Sequence, residues 1–233
     1  VRAALFSSVT HDLRTPLAAI KACATSLLDP GVVFDDSQRK DLLTTIAEES
    51  DRLNRLIANL LSLSRLRAGA LVQEKTAAPV EDVIEAAVAR LRKRGGMILV
   101  EDGAVLPPVP MDLLQIDQVV SNLLENALRF SADGVPVEIS ARTADGFIEV
   151  AVADHGPGIR PEDRERVFQE FFRGDDAGDR GGVGLGLAIS RAIVEAHGGT
   201  MWVAETSGGG ATVGFRLPLG PAAVGPDGAR GTA

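Results

Sequence analysis

Ser8-Val9-Thr10-His11-Asp12-Leu13-Arg14-Thr15-Pro16-Leu17 lies near the start of the first long helical pattern of the chain. Val9, Leu13, Leu17, Ile20, Ala24 and Leu27 recur at steps of three and four, the buried stripe of an amphipathic helix. His11 is two residues from both Val9 and Leu13. Two residues are about 200° around a helix, so the imidazole points away from the stripe. Thr15 stands at i+4 and shares that exposed face. Pro16 lacks the N–H that would bond the Asp12 carbonyl, so a bend is expected just past the histidine. An exposed imidazole beside a carboxylate, next to a kink, reads as a nucleophile presented for use. Taken alone, it also fits an ordinary solvated histidine.

The helix predicted around this stretch runs from about Arg2 to Leu28, where Asp29-Pro30-Gly31 breaks it. Asp35, Asp36 or Ser37 can cap a second helix, which carries Leu42, Ile46, Leu53, Ile57, Leu60 and Leu63 on one face and stops near Gly69. Two helices joined by a short loop form an antiparallel hairpin. A lone hairpin cannot bury stripes this wide. Pairing with a second copy predicts a homodimer built as a four-helix bundle. The alternative is packing against the chain's own downstream domain.

From about Leu71 the pattern changes to short strands and helices. Val80–Arg94 reads as a helix with Pro79 near its start, and Met97–Glu101 and Leu106–Met111 as strands. Leu113–Phe130 is a strong helical pattern. Val137–Arg142 and Phe147–Ala153 form a hairpin around Asp145-Gly146. Pro161–Phe168 is a short helix, and Asp175–Gly182 a polar, glycine-rich loop. Val183–His197 is a helix closed by Gly198-Gly199, and Met201–Glu205 with Thr212–Leu217 make a last hairpin. The interleaving predicts an α+β fold with a mixed sheet. The domains are expected at residues 1–70 and 71–220, with a disordered tail at 221–233.

The chain has 233 residues, 45% hydrophobic and 24% charged, the composition of an ordinary globular protein. Net charge is −8, and the one basic run, Arg90-Leu91-Arg92-Lys93-Arg94, suits a helix C-terminus, so nucleic acid is not expected as a partner. Cys23 is the only cysteine, which excludes an intrachain disulfide and a cysteine-built metal site. The lone cysteine fits a reducing compartment. No apolar run reaches the roughly 18 residues of a transmembrane helix, and no signal peptide is evident, so no membrane contact is expected of this segment. The sequence begins inside a helical pattern without an initiator Met and reads as a fragment of something longer.

The helix through Phe130 carries a polar row among apolar residues. Asn122, Asn126 and Arg129 step by four and three and share a face. Two carboxamides and a guanidinium on one edge suit a magnesium–phosphate group, since amide oxygens ligate a hard cation and arginine pairs with phosphate. They also fit surface polar groups. Asp154-His155-Gly156-Pro157-Gly158 follows a strand directly. An acid there, backed by glycines, can accept a hydrogen bond deep in a pocket while the backbone makes room for a flat ring. A simple turn would look similar. Gly182-Val183-Gly184-Leu185-Gly186-Leu187 opens a helix, whose bare N–H groups can hold phosphates. No Gly-Lys-Ser/Thr follows, so this is not a Walker loop. The G-x-G-x-G spacing, with no strand before it, is not a Rossmann fingerprint.

In this order the segments resemble the catalytic core of bacterial sensor histidine kinases, over about Leu5 to Leu219. Ser8–Leu17 resembles the H box, Asn122–Phe130 the N box and Asp154–Gly158 the first glycine box. Phe168-Gln169-Glu170-Phe171-Phe172 resembles the F box and Gly182–Leu187 the second glycine box. His197-Gly198-Gly199-Thr200 matches a further element of the family pattern. Ser26-Leu27-Leu28-Asp29 and Arg52-Leu53-Asn54-Arg55-Leu56-Ile57 further resemble the Kdp-type potassium-responsive sensor kinases. The resemblance implies a dimeric helical hairpin joined to a Bergerat-type (GHKL) ATP-binding sandwich, with His11 as phospho-acceptor. It implies that Asn126 holds Mg²⁺ with help from Asn122, that Arg129 contacts phosphate, and that Asp154 accepts from the adenine amino group. Phe130, Gly156, Gly158, Gly182, Gly184, Gly186 and Leu187 would line the nucleotide. Two departures stand out: Arg129-Phe130 replaces the common Lys-Tyr, and His155 replaces the common Asn.

The implied reaction is phosphoryl transfer from ATP to His11, with Asp12 bonding the other ring nitrogen or taking its proton. The group then passes to an aspartate on the receiver domain of a response regulator, and Thr15 could later orient a water for dephosphorylating that regulator. The family also implies the cytoplasmic portion of a membrane-anchored protein. One rival is a GHKL-type ATPase, which carries a glutamate where Asn122 stands. Another is a nucleotide-binding scaffold without kinase activity.

Overall fold

The computed structural model describes residues 2–67, 73–101, 105–132, 134–174 and 184–220, with side chains over the same ranges except 2–12, 55 and 65–67. The expected tail at 221–233 lies outside them.

α1 (Arg2–Leu28) and α2 (Asp36–Arg67) pack as the expected hairpin. α1 runs without a break through Pro16, which is itself buried. Of the candidate caps, Asp35 starts α2. Its carboxylate accepts from the Gln38 N–H at 2.7 Å while the Gln38 amide oxygen accepts from the Asp35 N–H at 3.1 Å, a reciprocal capping box. The apolar stripes are less buried than their spacing predicts. Within them Leu63 is buried, but Leu17 and Ile57 are 57% and 45% exposed; outside them Leu56 is buried, and Leu43 and Leu61 are 53% and 55% exposed. Two helices share one seam, and residues a third of a turn away from it face outward.

By compactness the chain divides into two units. One runs through Leu71 and takes in Gln169–Ile189; the other comprises Val72–Phe168 and resumes at Ser190. The second unit holds β1 (Thr76–Ala78), α3 (Val80–Arg92), β2 (Ile98–Val100), β3 (Val109–Met111), α4 (Leu113–Phe130), β4 (Val137–Ala144) and β5 (Phe147–Ala153), then β6 (Thr200–Glu205) and β7 (Ala211–Pro218). α5 (Gly186–Ala196) begins in one unit and ends in the other. The five-stranded sheet has the order β2-β4-β5-β7-β6, with β2 parallel to β4 and the other pairs antiparallel. This is the mixed sheet of the expected α+β fold. β1 and β3 pair separately. The sheet buries Val137, Ile139, Ile148, Val150, Phe215 and Leu217; against them α4 presents Ile116, Val119, Val120, Leu123, Leu124 and Ala127. Each of these side chains except Ala127 contributes about 1.5–3 kcal/mol by leaving water.

Two expected elements differ. Pro161–Phe168 is not one helix but two 3₁₀ turns, Pro161–Asp163 and Arg166–Phe168. α5 starts at Gly186 instead of Val183, because Gly184 adopts φ +72°, outside helical space.

Candidate active site

α4 is pinned from its first residue. Asp112 is the N-cap: Oδ1 accepts from the N–H groups of Leu114 and Gln115 at 3.1 Å each, and Oδ2 from the Glu74 N–H at 3.2 Å. With the apolar stripe locked on the sheet, the opposite edge carries the polar row. Asn122 and Asn126 are half-buried and Arg129 is exposed, on successive turns, and Phe130 ends the helix.

β5 delivers Asp154, 7% exposed. Its Oδ1 accepts from the N–H of Gly156 at 2.9 Å and of Ala211 at 3.1 Å; its own N–H donates to the Ala211 carbonyl at 2.9 Å. Both side-chain bonds fall on Oδ1, and Oδ2 takes none among the described residues. Gly156 lies against the Phe130 carbonyl so closely that a Cβ would overlap it. The first glycine box is therefore pressed onto the end of the polar helix, and only glycine permits it. Gly158 follows on the same loop. His155 sends Nε2 to within 3.6 Å of the Glu138 carboxylate on β4.

The second glycine box lies before α5. Gly182 falls outside the described residues. The Phe171 N–H donates to the Gly184 carbonyl at 2.8 Å, and a Cβ on Gly184 would sit 2.5 Å from the Phe172 carbonyl oxygen. The F box and the glycine box are thus joined backbone to backbone. Phe171 has φ +65°, a strained position for a bulky residue. Gly186 and Leu187 open α5, where the positive end of the helix dipole favours anions. Further along, the Arg191 guanidinium stands 5.5 Å from the centroid of Phe168 and bonds Glu195 at 2.8 Å. The Glu195 hydrogen bond is the main reason its pKa is raised.

Two contributors were not singled out from the sequence. Ser190 on α5 is fully buried and accepts from the Asn122 Nδ2 at 3.2 Å. Its signal was a hydroxyl between Ile189 and Ile193 on an otherwise apolar helix face. Ala211 acts through its backbone N–H, which leaves no trace in side-chain identity.

His197 closes α5, 3% exposed. Nδ1 donates to the Ile193 carbonyl at 2.8 Å and Nε2 accepts from the Asp112 N–H at 3.1 Å, which requires the neutral ring. Burial chiefly holds its pKa below the ordinary 6.5, with Lys75 acting the same way; the Ile193 carbonyl and Asp112 oppose. The unfolded chain therefore binds the proton first as pH falls. The contribution is fully present above pH 6.5 and declines below it, toward the folded value. Thermal unfolding between pH 7.5 and 5.5 is expected to show a falling midpoint whose slope is shallower in His197→Gln.

The side chains of His11 and Asp12 fall outside the described residues; their backbone lies in α1. Thr15 is exposed one turn further on. Among the described residues no cluster of three or more His, Cys, Asp or Glu could hold a metal. The remaining hard donors at the polar row are the carboxamide oxygens, which suit a magnesium ion shared with phosphate. Among the described residues, no helix is long and apolar enough to cross a membrane.

A mixed sheet covered by helices, with a buried acid behind glycines and a carboxamide row beside it, makes an α/β sandwich, carried with a helical hairpin. Residues 111–221 match the family described as "Histidine kinase-, DNA gyrase B-, and HSP90-like ATPase", and residues 1–69 match the "His Kinase A (phospho-acceptor) domain". The chain is 38% identical over 222 residues to the sensor protein KdpD of Clostridium acetobutylicum, covering 94% of this chain and 25% of that protein. The mycobacterial sensor histidine kinase MprB is 31% identical, with TM-score 0.53, over 63% of this chain and 97% of that structure. Full-length ShkA, solved in complex with AMPPNP, is 28% identical, with TM-score 0.66, over 91% of this chain and 45% of that one. The chain belongs to the sensor histidine kinase family. It spans about a quarter of the length of the KdpD relatives it matches.

Proposed function

We propose that this chain is the kinase core of a Kdp-type sensor, which phosphorylates His11 from ATP and passes the phosphoryl group to a response-regulator aspartate. Residues 1–70 serve as the dimerisation and phospho-acceptor hairpin and residues 71–220 as the ATP-binding domain. The longer protein would be membrane-anchored, with this part in the cytoplasm. The observation that carries the reading is Asp154, buried with Oδ1 committed to two backbone N–H groups and Oδ2 open to a ligand amine. The AMPPNP bound by the related ShkA supports ATP as the nucleotide.

In this reading Asp154 accepts from the adenine amino group, and Gly156 and Gly158 admit the ring. Arg129 pairs with phosphate, beside Phe130. Gly182, Gly184, Gly186 and Leu187 present the α5 N-terminus to the phosphate chain. Asn126 and Asn122 would hold Mg²⁺, which when bound neutralises phosphate charge. A neutral ring nitrogen of His11 attacks the γ-phosphorus. The N–P bond forms as the bond to the bridging oxygen breaks, ADP leaves with that electron pair, and Asp12 takes the proton of the other nitrogen. Thr15 orients a water when the phosphorylated regulator is hydrolysed.

Incubation with Mg²⁺ and γ-labelled ATP tests the reading. Acid-labile, alkali-stable label on the chain supports the kinase; free phosphate without label supports an ATPase, and binding with neither supports a scaffold.

The exposed Leu17, Leu43, Ile57 and Leu61 support a homodimer. Covering each would add about 1.5–3 kcal/mol. Light scattering is expected to give twice the chain mass, and Ile57→Asp to shift it to the monomer. A wild-type monomer would refute the pairing.

A further inference from the structure

We propose that Arg191 is a positioning residue for the phosphate end of the site: it clamps the root of the F box onto α5, and through the F box it keeps the second glycine box in the form that receives phosphate. The inference rests on the nucleotide reading above and gives the F box a part in it. The guanidinium makes three contacts. Nε donates to the Glu195 carboxylate at 2.8 Å, one turn along α5, which orients the group. Its face lies over the Phe168 ring, 5.5 Å from the centroid, and Nη1 stands 3.6 Å from the Glu165 carboxylate. Glu165 and Phe168 flank a single turn, so one side chain grips both of its ends. All four residues belong to the second compact unit.

That turn needs holding. Arg166–Phe168 is a 3₁₀ turn of three residues, and so short a helix has poor hydrogen bonds of its own. The Phe168 ring is buried, while the Arg191 side chain keeps 42% of its surface exposed, so the cation stays in water above an apolar ring. Further along the F box, Phe171 takes φ +65°, and its N–H donates to the Gly184 carbonyl at 2.8 Å. A bulky residue keeps such a conformation only where its surroundings over-determine it. Gly184 holds Phe171 from one side. Arg191, through Phe168, holds it from the other. Gly184 leads into α5, whose first residues, Gly186 and Leu187, are the ones assigned to phosphate above. With the clamp gone, the F box would be tied at Phe171 alone, and the strain there would be free to relax.

The test compares ATP with adenosine, each titrated into the whole chain with Mg²⁺ present. Adenosine reads the base contacts alone, and ATP adds the phosphates. Arg191→Ala is expected to weaken ATP binding about three- to tenfold, the range of one cation–π contact with a partly exposed ion pair. Adenosine affinity should stay within about twofold of wild type, less than one weak hydrogen bond. Arg191→Gln, a good helix former without the charge, should do the same and serves if the alanine variant misfolds. Arg191→Lys keeps a cation over the ring without the planar fork, and should recover part of the loss. In a Phe168→Leu background, Arg191→Ala should cost less than in the wild type, because the ring beneath the cation is gone. Unchanged ATP affinity in a folded variant without the charge overturns the proposal. So does an equal loss for ATP and adenosine, or a full effect that survives Phe168→Leu. A wild-type chain that binds neither ligand would instead sink the nucleotide reading and this proposal with it.

Discussion

Asp154→Asn is expected to weaken ATP binding about 100-fold, equivalent to about 2.7 kcal/mol, while leaving the fold in place. The asparagine oxygen can take over the Oδ1 position, where the N–H groups of Gly156 and Ala211 converge at 2.9 and 3.1 Å. Its NH₂ must then occupy the Oδ2 position. There a donor would face the exocyclic amine of adenine, itself a donor. The variant loses a hydrogen bond to a charged acceptor, worth about 1.5–3 kcal/mol, and buries a mismatched pair in its place. The low exposure of the site, 7%, keeps water from repairing the mismatch. Flipping the amide moves the problem onto the two backbone donors. Calorimetric titration with ATP measures the loss, and the thermal midpoint reports the fold. Binding within about threefold of wild type, far below the loss of one charged hydrogen bond, would show that Asp154 does not read the base.

What could be read from the sequence depended on how local the deciding interactions were. α4 was legible to its end residues because its apolar stripe and its polar row lie within one segment, and the Asp112 cap emerged only with the structure. The hairpin was legible for the same reason, although Asp35, Asp36 and Ser37 stayed open as caps until the reciprocal bonds with Gln38 chose Asp35. β1 was not: Thr76–Ala78 is three residues long, and only pairing with Val109–Met111 makes it a strand. The start of α5 is set by Gly184, whose φ answers to the Phe171–Phe172 backbone rather than to its own neighbours. Burial within the stripes also escaped, because spacing gives a face and not the width of the seam that covers it; Leu17 and Ile57 lie at its margin. In the candidate site, residue type and spacing put forward Asn122, Asn126 and Asp154. Ser190 and Ala211 depend on partners 68 and 57 positions away, so their roles appear only once the chain is folded.

His11→Gln is expected to abolish the acid-labile label while ATP affinity stays within about twofold of wild type, less than the loss of one weak hydrogen bond. Glutamine retains a polar side chain of similar reach but no nucleophilic ring nitrogen, so no N–P bond can form. It is also a better helix former than histidine, so α1 should not loosen. The residues proposed to bind the nucleotide come from α4, from the segment that follows β5, and from the second glycine box with the start of α5, and none from α1. Binding and chemistry should therefore separate: Asp154→Asn loses both, His11→Gln loses chemistry alone. The label should fall at least about 1000-fold, since a histidine nucleophile has no neighbouring substitute of equal strength at this turn. Asp12 could at most form an acyl phosphate, which alkali destroys, so the stability of any residual label identifies its source. Alkali-stable label persisting in His11→Gln would move the phospho-acceptor to another histidine, His155 or His197. His197, buried with both ring nitrogens bonded, has none to offer, which leaves His155 as the one to replace next.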